Sequence, residues 1–251
     1  MKILKNIIPI IELYDALKYL RPFKKEISKA EKAGDYERER EYILKAETTW
    51  ANHLINTFDI KLNLNGKENL PDVGPVVYVA NHQGYADIFL TCAVLNRFQF
   101  AFVAKDILQK IPLYGKWIKR IRSVFIKRDD ARASLRAIDE GVRFIEKGFS
   151  LMIFPEGTRS KGGPVGEFKK GSLRLATKPG VPVIPITISG TFSIFEEYGY
   201  IKKGVSVDMI IHPAIETAGM EKSAANNLSA EVEKIVMGGF EKLKSQAQSS
   251  P

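Results

Sequence analysis

The hydrophobic positions change their period along the chain and divide it into two parts. Over residues 7–20, apolar side chains recur every three or four positions, which predicts a helix with one wide apolar face. Residues 24–47 carry seven basic and seven acidic side chains and predict a long, ion-paired helix that is broken or bent near Gly34. From Phe58 onward, short apolar runs alternate with helical patterns, so an α/β unit is predicted to follow the helices.

Five of the apolar runs predict strands buried on both faces: Val76–Ala80, Phe100–Ala104, Val124–Ile126, Leu151–Phe154 and Val183–Ile188. An amphipathic helix is predicted between the third and fourth strands from five apolar positions: Leu135, Ile138, Val142, Ile145 and Phe149. A last helix is predicted over residues 228–243. The order of elements predicts an α/β fold with a mainly parallel sheet flanked by helices over residues 58–251, preceded by an N-terminal two-helix appendage over residues 1–57.

The charge of the chain is strongly basic and indicates an anionic partner. Its 251 residues include 38 Lys and Arg against 29 Asp and Glu, a net charge of +9. Residues 110–128 hold seven of the basic residues and no acidic one, and the rest of the chain has 31 basic and 29 acidic residues. The excess charge is therefore local. Nucleic acid, an anionic membrane surface, an acidic carrier and a phosphorylated substrate all fit it.

The N-terminal segment has the composition of a helix that lies in a membrane interface. Residues 1–25 contain six Lys or Arg beside the apolar face. Packing of that face on the next helix fits the pattern equally well. Glu12 and Asp15 interrupt the apolar run, and no small-residue cleavage site follows, which argues against a signal peptide. By hydropathy, no run approaches the roughly 18 uncharged apolar residues of a spanning helix.

The first candidate for chemistry is a histidine that directly follows a predicted strand. His82 lies in the run Asn81-His82-Gln83-Gly84-Tyr85-Ala86-Asp87, and ligands collect at the carboxyl ends of strands in α/β sheets. With His82 in a turn and Asp87 in the first turn of a helix, the carboxylate reaches the ring. It would fix the tautomer, so that the other ring nitrogen accepts a proton as a general base. The spacing alone also fits Asp87 as a helix cap and His82 as an ordinary loop residue.

Other site types find little support. His53 is predicted to end a helix and His212 a late strand, and both are interpreted as structural. There is no His-Glu-x-x-His run, and the single cysteine, Cys92, excludes a cysteine-based zinc site and an internal disulfide and favours a reducing compartment. No metal is therefore expected. No Gly-x-Ser-x-Gly run appears either, so the chain offers a base without an obvious protein nucleophile.

A second polar segment, Phe154–Ser160, follows another predicted strand. Gly157 lets the backbone approach a ligand, Thr158 offers a hydroxyl, and Arg159 offers a bidentate fork suited to phosphate. The segment predicts an anion site, with a plain polar turn as the alternative.

Four blocks in fixed order resemble the signature of the glycerolipid acyltransferases, and most closely that of the 1-acyl-glycerol-3-phosphate acyltransferases. The blocks are Asn81-His82 with Asp87, Val124–Arg128, Phe154–Ser160 and Val181–Pro185. The run from Lys105 to Gly115 also fits the family, and the resemblance covers about residues 58–215. It implies a catalytic pair, His82 and Asp87, and a set of substrate-binding residues: Lys105, Arg128, Glu156, Gly157, Thr158 and Arg159.

The resemblance also implies a reaction. His82 would take the proton from the 2-hydroxyl of lysophosphatidic acid, and that oxygen would attack an acyl thioester, giving phosphatidic acid without a covalent intermediate. Acyl-CoA or acyl–acyl carrier protein would be the donor, with no cofactor. Because acceptor and product are lipids, we expect peripheral attachment to anionic lipids at the cytoplasmic face of the cell membrane, with residues 1–57 as the membrane-association motif.

Two alternatives remain at this point. One is an acyltransferase that acts on glycerol 3-phosphate or on another lysolipid, because its four blocks would look nearly the same. The other belongs to a different class, the basic nucleic-acid-binding proteins. The chain shows no zinc finger, helix-turn-helix signal or basic heptad region that would support this second alternative.

Overall fold

The computed structural model describes residues 15–127 and 130–249. Its strands within these ranges are β1 Lys61–Asn65, β2 Val77–Ala80, β3 Phe100–Lys105, β4 Val124–Ile126, β5 Ser150–Ile153, β6 Val183–Ser189 and β7 Ser206–Ile211. Its α-helices there are α1 Arg21–Ala33, α2 Tyr36–Phe58, α3 Ala86–Val94, α4 Tyr114–Arg120, α5 Ala131–Glu146, α6 Arg174–Thr177 and α7 Lys222–Ser249. Short 3₁₀ turns cover Leu17–Leu20, Lys67–Asn69, Asp106–Lys110 and Thr191–Ile194.

The strands form one sheet in the order β1-β7-β6-β2-β5-β3-β4. Five neighbouring strands, from β6 to β4, run parallel, whereas β7 pairs antiparallel with β6 and parallel with β1. All four residues of β2 are fully buried, as expected for a central parallel strand with helices on both faces. The predicted α/β class with a mainly parallel sheet is confirmed.

The predicted elements agree with the structure in position. The five predicted strands are β2 to β6, each within one residue at either end. The predicted amphipathic helix is α5, in which Ile138, Val142 and Ile145 are buried, and the predicted last helix lies within α7. The break near Gly34 is confirmed: this residue ends α1 in a left-handed conformation, and Asp35 caps the start of α2 by accepting the N–H of Arg38 at 3.0 Å.

The second of the two N-terminal helices packs directly on the α/β core. α2 buries Ile43, Trp50, Leu54 and Phe58, and these side chains belong to the same apolar cluster as the sheet. Most of the predicted stripe over residues 7–20 lies outside the described residues, but Ala16 and Leu20 are buried in this cluster. The division of the chain at residue 57 stays a prediction.

One arginine of the basic segment 110–128 serves the fold. Arg122 donates two hydrogen bonds to the fully buried carboxylate of Glu39, at 2.6 and 2.9 Å, and lies 3.4 Å from Glu31. Its guanidinium also lies over the rings of Phe144 and Phe149. These contacts join the N-terminal helices to the sheet, so Arg122 is not available to a ligand.

No helix within residues 15–127 and 130–249 combines the length and the apolarity that a bilayer crossing requires.

Candidate active site

The polar segments singled out in the sequence meet at one edge of the sheet. The loops that follow β2, β5 and β6 leave from the carboxyl ends of three adjacent strands, of which β2 is the middle one. The loop after β2 carries His82, and the loop after β5 carries Phe154–Ser160. Parallel pairing therefore brings together groups that lie more than 70 residues apart in the chain.

The predicted contact between His82 and Asp87 is present. Asp87 lies in the first turn of α3, and its Oδ2 accepts a hydrogen bond of 2.6 Å from Nδ1–H of His82. The ring stacks on Phe154, with centroids 4.2 Å apart. With Nδ1 protonated, the opposite nitrogen, Nε2, is a proton acceptor. No described residue hydrogen-bonds to Nε2, and the side chain is 17% exposed, so a substrate hydroxyl can reach it.

Asp87 is held by more than the histidine. Its carboxylate is fully buried, and Oδ2 also accepts the backbone N–H groups of Gln83 and Gly84, at 2.7 and 3.0 Å. Oδ1 accepts the hydroxyl of Thr191 at 2.5 Å. A buried carboxylate with this many donors cannot rotate freely, so the imidazole is fixed in one tautomer and one orientation.

The loop that carries His82 is also hydrogen-bonded to the carboxyl end of β6. The amide of Asn81 donates to the carbonyl of Ile188 and accepts its N–H, both at 2.8 Å. The side-chain oxygen of Gln83 accepts the N–H of Gly190 at 2.9 Å. These contacts anchor the residues on both sides of His82 to the end of a buried strand, which gives the histidine a rigid base.

Glu156 supports the backbone of the histidine. Its two carboxylate oxygens accept the N–H groups of His82, at 2.6 Å, and Gly166, at 2.9 Å. Burial raises the pKa of this carboxyl above its ordinary value, while those two hydrogen bonds act in the opposite direction. The carbonyl of His82 accepts the N–H of Ser160, so the two loops are joined twice. The predicted contact of Glu156 with substrate stays a prediction.

Arg159 lies beside the histidine loop and has a carboxylate partner. Its Nη1 donates to Oε1 of Glu196 at 2.8 Å, and its guanidinium lies 3.6 Å over the ring of Tyr85. The Arg159 side chain is 23% exposed, so it stays partly accessible to solvent. The ammonium of Lys169, from further along the chain, lies next to Gly157, and Thr158 is exposed. Arg159 and Lys169 are therefore two cations at or next to this segment.

The two remaining predicted residues are placed differently. Lys105 ends β3 and is exposed. Because β3 is two strands away from β2, Lys105 lies about 10 Å along the sheet edge from the end of β2, which His82 follows. Arg128 lies outside the described residues. The second block therefore contributes only Lys127, directly after β4, to the described part of the edge.

The other two histidines lie away from this cluster. His53 stacks on Tyr19 with centroids 4.1 Å apart, and His212 hydrogen-bonds to the buried hydroxyl of Thr187. Burial lowers the pKa of His212, which suits a neutral structural ring. In the part of the chain that the structure describes, no group of three or more His, Cys, Asp or Glu is arranged to hold a metal ion.

Sequence reasoning did not single out two residues that touch the site. Thr191 and Glu196 follow β6, 104 and 37 residues from their partners Asp87 and Arg159. Neither belongs to one of the four blocks, so their sequence neighbourhood gives no signal. The strand order of the structure, in which β6 is adjacent to β2, brings their loop to the same edge.

Comparison with known proteins decides the family. A protein-family model described as Acyltransferase matches residues 61–189, which is half of the chain and contains β1 to β6 with the loops that follow β2 and β5. The chain belongs to this acyltransferase family.

Relatives of this acyltransferase-family chain carry more specific names. A chloroplast 1-acyl-sn-glycerol-3-phosphate acyltransferase of Arabidopsis thaliana is 40% identical over 169 residues, 66% of this chain but only 46% of that protein. The chain thus corresponds to about half the length of this plant relative. A 1-acyl-sn-glycerol-3-phosphate acyltransferase of Borreliella burgdorferi is 29% identical and covered over 74% of each chain.

A solved structure is similar over nearly the whole chain. The crystal structure of the 1-acyl-sn-glycerophosphate acyltransferase PlsC of Thermotoga maritima superposes with a TM-score of 0.75 at 30% identity. The match covers 97% of this chain and 98% of that one, so it includes the N-terminal helices as well as the α/β part. The resemblance stated from the four blocks is confirmed at the level of the family.

Proposed function

We propose that the chain transfers a fatty acyl group from an acyl thioester to the 2-hydroxyl of 1-acyl-glycerol-3-phosphate, giving phosphatidic acid. The observation that carries the proposal is the His82–Asp87 pair at the carboxyl edge of the sheet, in a chain of the acyltransferase family. The acceptor is proposed from the names of the Arabidopsis, Borreliella and Thermotoga proteins. Family membership also favours an enzyme over the nucleic-acid-binding alternative.

The proposed chemistry needs one base. The acceptor oxygen attacks the thioester carbonyl while its proton passes to Nε2 of His82, and Asp87 stabilises the resulting imidazolium. The tetrahedral intermediate then expels the thiolate, which takes the proton back from the imidazolium. An ester and a free thiol are formed, and His82 is neutral again. The substrate supplies the nucleophile, so no acyl-enzyme is formed.

The phosphate of the acceptor positions the hydroxyl. Arg159 is the proposed anchor, because its planar fork suits a phosphate and it lies beside the loop of His82. Lys105 and Arg128 are proposed as further cations at the same edge. Binding energy from the phosphate, which does not react, orients the hydroxyl that does. Acyl-CoA or acyl–acyl carrier protein is the proposed donor, and neither a metal nor a cofactor takes part.

The proposed activity is tested by product analysis with the purified full chain. We expect labelled acyl-CoA and 1-acyl-glycerol-3-phosphate to give phosphatidic acid, and we expect His82→Ala to lower the rate by about a hundredfold or more. The matched control is His53→Ala, since His53 stacks on Tyr19 away from the site. Acyl–acyl carrier protein is compared as donor, and glycerol 3-phosphate and other lysolipids as acceptors. Faster transfer to one of those acceptors would favour the alternative reaction. An undiminished rate in His82→Ala would show that His82 is not the general base.

We also propose that the chain attaches peripherally to anionic lipid at the cytoplasmic face of the membrane, through residues 1–25 and the segment 110–128. Two observations support the attachment. Near the carboxyl end of β3, the large apolar side chains Ile107 and Leu113 are 47% and 60% exposed. Lys110 and Lys116, nearby in the chain, are exposed and form no ion pair within the described residues. Exposed apolar side chains among unpaired cations suit an anionic lipid interface.

A further inference from the structure

One carboxylate at the site, that of Glu196, belongs to none of the four blocks and has no part in the proposed base. Glu196 follows the 3₁₀ turn Thr191–Ile194, and its side chain is only 6% exposed. It points into the space between the histidine loop and Arg159. A buried carboxylate is costly unless it is paired, so the contacts that hold Glu196 there indicate what it does.

A single oxygen of Glu196 joins two parts of the site. Its Oε1 accepts the backbone N–H of Tyr85 at 2.7 Å and Nη1 of Arg159 at 2.8 Å. The first contact fixes the loop between His82 and Asp87, and the second fixes the proposed phosphate anchor. The Tyr85 ring lies under the guanidinium at 3.6 Å and packs edge-on against Phe195.

The histidine loop is shaped to admit this carboxylate. A Cβ at Gly84 would lie 2.7 Å from Oε2 of Glu196, so a larger residue there would have to displace this carboxylate from its position. Within the described residues, Oε2 has no hydrogen-bond partner and lies against the Gly84 backbone. The carboxylate therefore occupies a fitted position directly behind the loop of the proposed base.

We propose that Glu196 is a positioning residue that orients Arg159 toward the phosphate of the acceptor and ties it to the loop of His82. The inference rests on the proposed function. One edge of the guanidinium is committed to Glu196 and the Tyr85 face is covered, so the remaining N–H groups keep one direction for a bidentate phosphate contact. The same carboxylate sets the distance between the phosphate anchor and the base, which makes it a determinant of specificity for acceptors that carry a phosphate.

The kinetic test separates this role from a merely structural one. We expect Glu196→Ala to raise the KM for 1-acyl-glycerol-3-phosphate about tenfold or more while kcat changes less than about threefold. Glu196→Gln keeps an oxygen acceptor for Tyr85 and Arg159, and we expect it to restore most of the affinity. The matched control is Glu197→Ala, since Glu197 is the exposed neighbour. A fall in kcat without a change in KM, or a Glu197→Ala variant that behaves like Glu196→Ala, overturns the proposal.

A double-mutant cycle tests whether Glu196 acts through Arg159. We expect Glu196→Ala to change kcat/KM about tenfold in the parent but less than about threefold in the Arg159→Ala background, because no guanidinium is left to orient. Equal factors in both backgrounds overturn the proposal.

A binding experiment keeps the inference testable if the proposed reaction fails. If the parent transfers no acyl group to lysophosphatidate, calorimetric titration with glycerol 3-phosphate probes the phosphate anchor alone. We expect both Glu196→Ala and Arg159→Ala to bind this phosphate monoester about tenfold more weakly than the parent. Equal affinity of the parent and Glu196→Ala contradicts the role of Glu196, whatever the acceptor proves to be.

Discussion

At the scale of single residues, the candidate site depends on how one buried carboxylate is satisfied. Asp87 accepts four hydrogen bonds, and only one of them comes from His82. The other three come from two backbone N–H groups and the Thr191 hydroxyl. A carboxylate left with a free buried oxygen would rotate toward solvent or another donor, and the imidazole would lose its orientation. The donor that is easiest to remove without changing shape is Thr191.

We expect Thr191→Val to weaken both the fold and the proposed catalysis. Valine has nearly the same shape but leaves Oδ1 of Asp87 buried without its donor, which costs about 2 kcal/mol of unfolding free energy for a bond to a charged group. A loss of about 1.4 kcal/mol in the orientation of the pair lowers kcat about tenfold. Denaturant unfolding and initial rates measure the two effects.

The control for this variant is Thr217→Val. Thr217 is also buried, but its hydroxyl donates to the carbonyls of Ala176 and Val181 away from the sheet edge. We expect a comparable loss of stability with an unchanged kcat. If Thr191→Val and Thr217→Val lower kcat equally, the hydrogen bond to Asp87 has no special part in the site.

At the scale of elements, helix α2 carries two buried glutamates in opposite situations. Glu39 is paired with Arg122 through two hydrogen bonds. Glu47, two turns further on, lies among apolar side chains of the core and is only 2% exposed. Burial raises the pKa of Glu47 well above its ordinary value, and the backbone of Phe100 opposes this only in part. Glu47 is therefore protonated in the folded chain over a range in which the unfolded chain has lost the proton.

This difference makes the stability contribution of Glu47 fall as the pH rises. Above the ordinary range of a glutamic acid, the folded state binds more protons than the unfolded state, so unfolding becomes easier by up to about 1.4 kcal/mol per pH unit. We expect Glu47→Gln, which cannot ionise, to gain stability relative to the parent as the pH rises above the ordinary range of a glutamic acid. Denaturant unfolding at several pH values measures the difference.

The matched control is Glu41→Gln, on the exposed side of the same helix. Glu41 pairs only with the exposed Lys45, and its replacement should change stability little at any pH. If the difference between Glu47→Gln and the parent is constant over this range of pH, the carboxyl ionises equally in both states and the account of α2 fails.

The strands that the sequence predicted and those it missed differ in burial. β2 to β6 appear as uninterrupted apolar runs because helices cover both faces, so each run contrasts with the loops around it. β1, with the sequence Lys-Leu-Asn-Leu-Asn, lies at the edge and has no buried residue, and its polar positions hide it. β7 alternates buried and partly exposed positions; the sequence predicts it as a late strand that ends at His212, but gives no start for it. The edge position of β1 therefore explains why the sequence does not predict it, and the one-sided burial of β7 explains why its start is not predicted.

At the scale of the whole molecule, the site could be predicted as far as it is local in sequence. His82 and Asp87 are five residues apart, and their contact follows from one turn and one helix start. The arrangement around them depends on strand order: Glu156, Thr191 and Glu196 arrive from strands whose adjacency no spacing in the chain reveals. The fold class fixed the edge at which they meet, but not which side chains touch there.

The fold also determines which of the basic residues in segment 110–128 are exposed. The segment 110–128 contributes seven basic residues, yet Arg122 faces inward to Glu39, so the surface beside the site is less basic than the sequence implies. What remains exposed in the segment includes Lys110, Lys116 and Lys119. In the chain these cations lie close to the exposed apolar side chains Ile107 and Leu113, which follow the carboxyl end of β3.

We expect replacement of that apolar pair to weaken membrane attachment. The double variant Ile107→Ser with Leu113→Ser removes two exposed side chains and leaves every lysine in place. Burying such side chains in a lipid interface is worth about 1.5 to 3 kcal/mol each at most, so the fraction sedimenting with anionic vesicles should fall severalfold. A second variant that lacks residues 1–14 tests the N-terminal contribution and keeps Ala16 and Leu20, which the core needs.

The matched control is Leu135→Ser, since Leu135 is 47% exposed on α5, outside the basic segment. It removes a similar apolar area. Equal loss of sedimentation in this control would mean that vesicles are bound by non-specific hydrophobic adsorption and not by the surface around Ile107 and Leu113. Sedimentation with vesicles of zwitterionic lipid separates apolar insertion from attraction to charge, because only the charged component falls with added salt. If all variants sediment like the parent, neither segment attaches the chain. Activity on lysophosphatidate dispersed without vesicles would then still report on the His82 site alone.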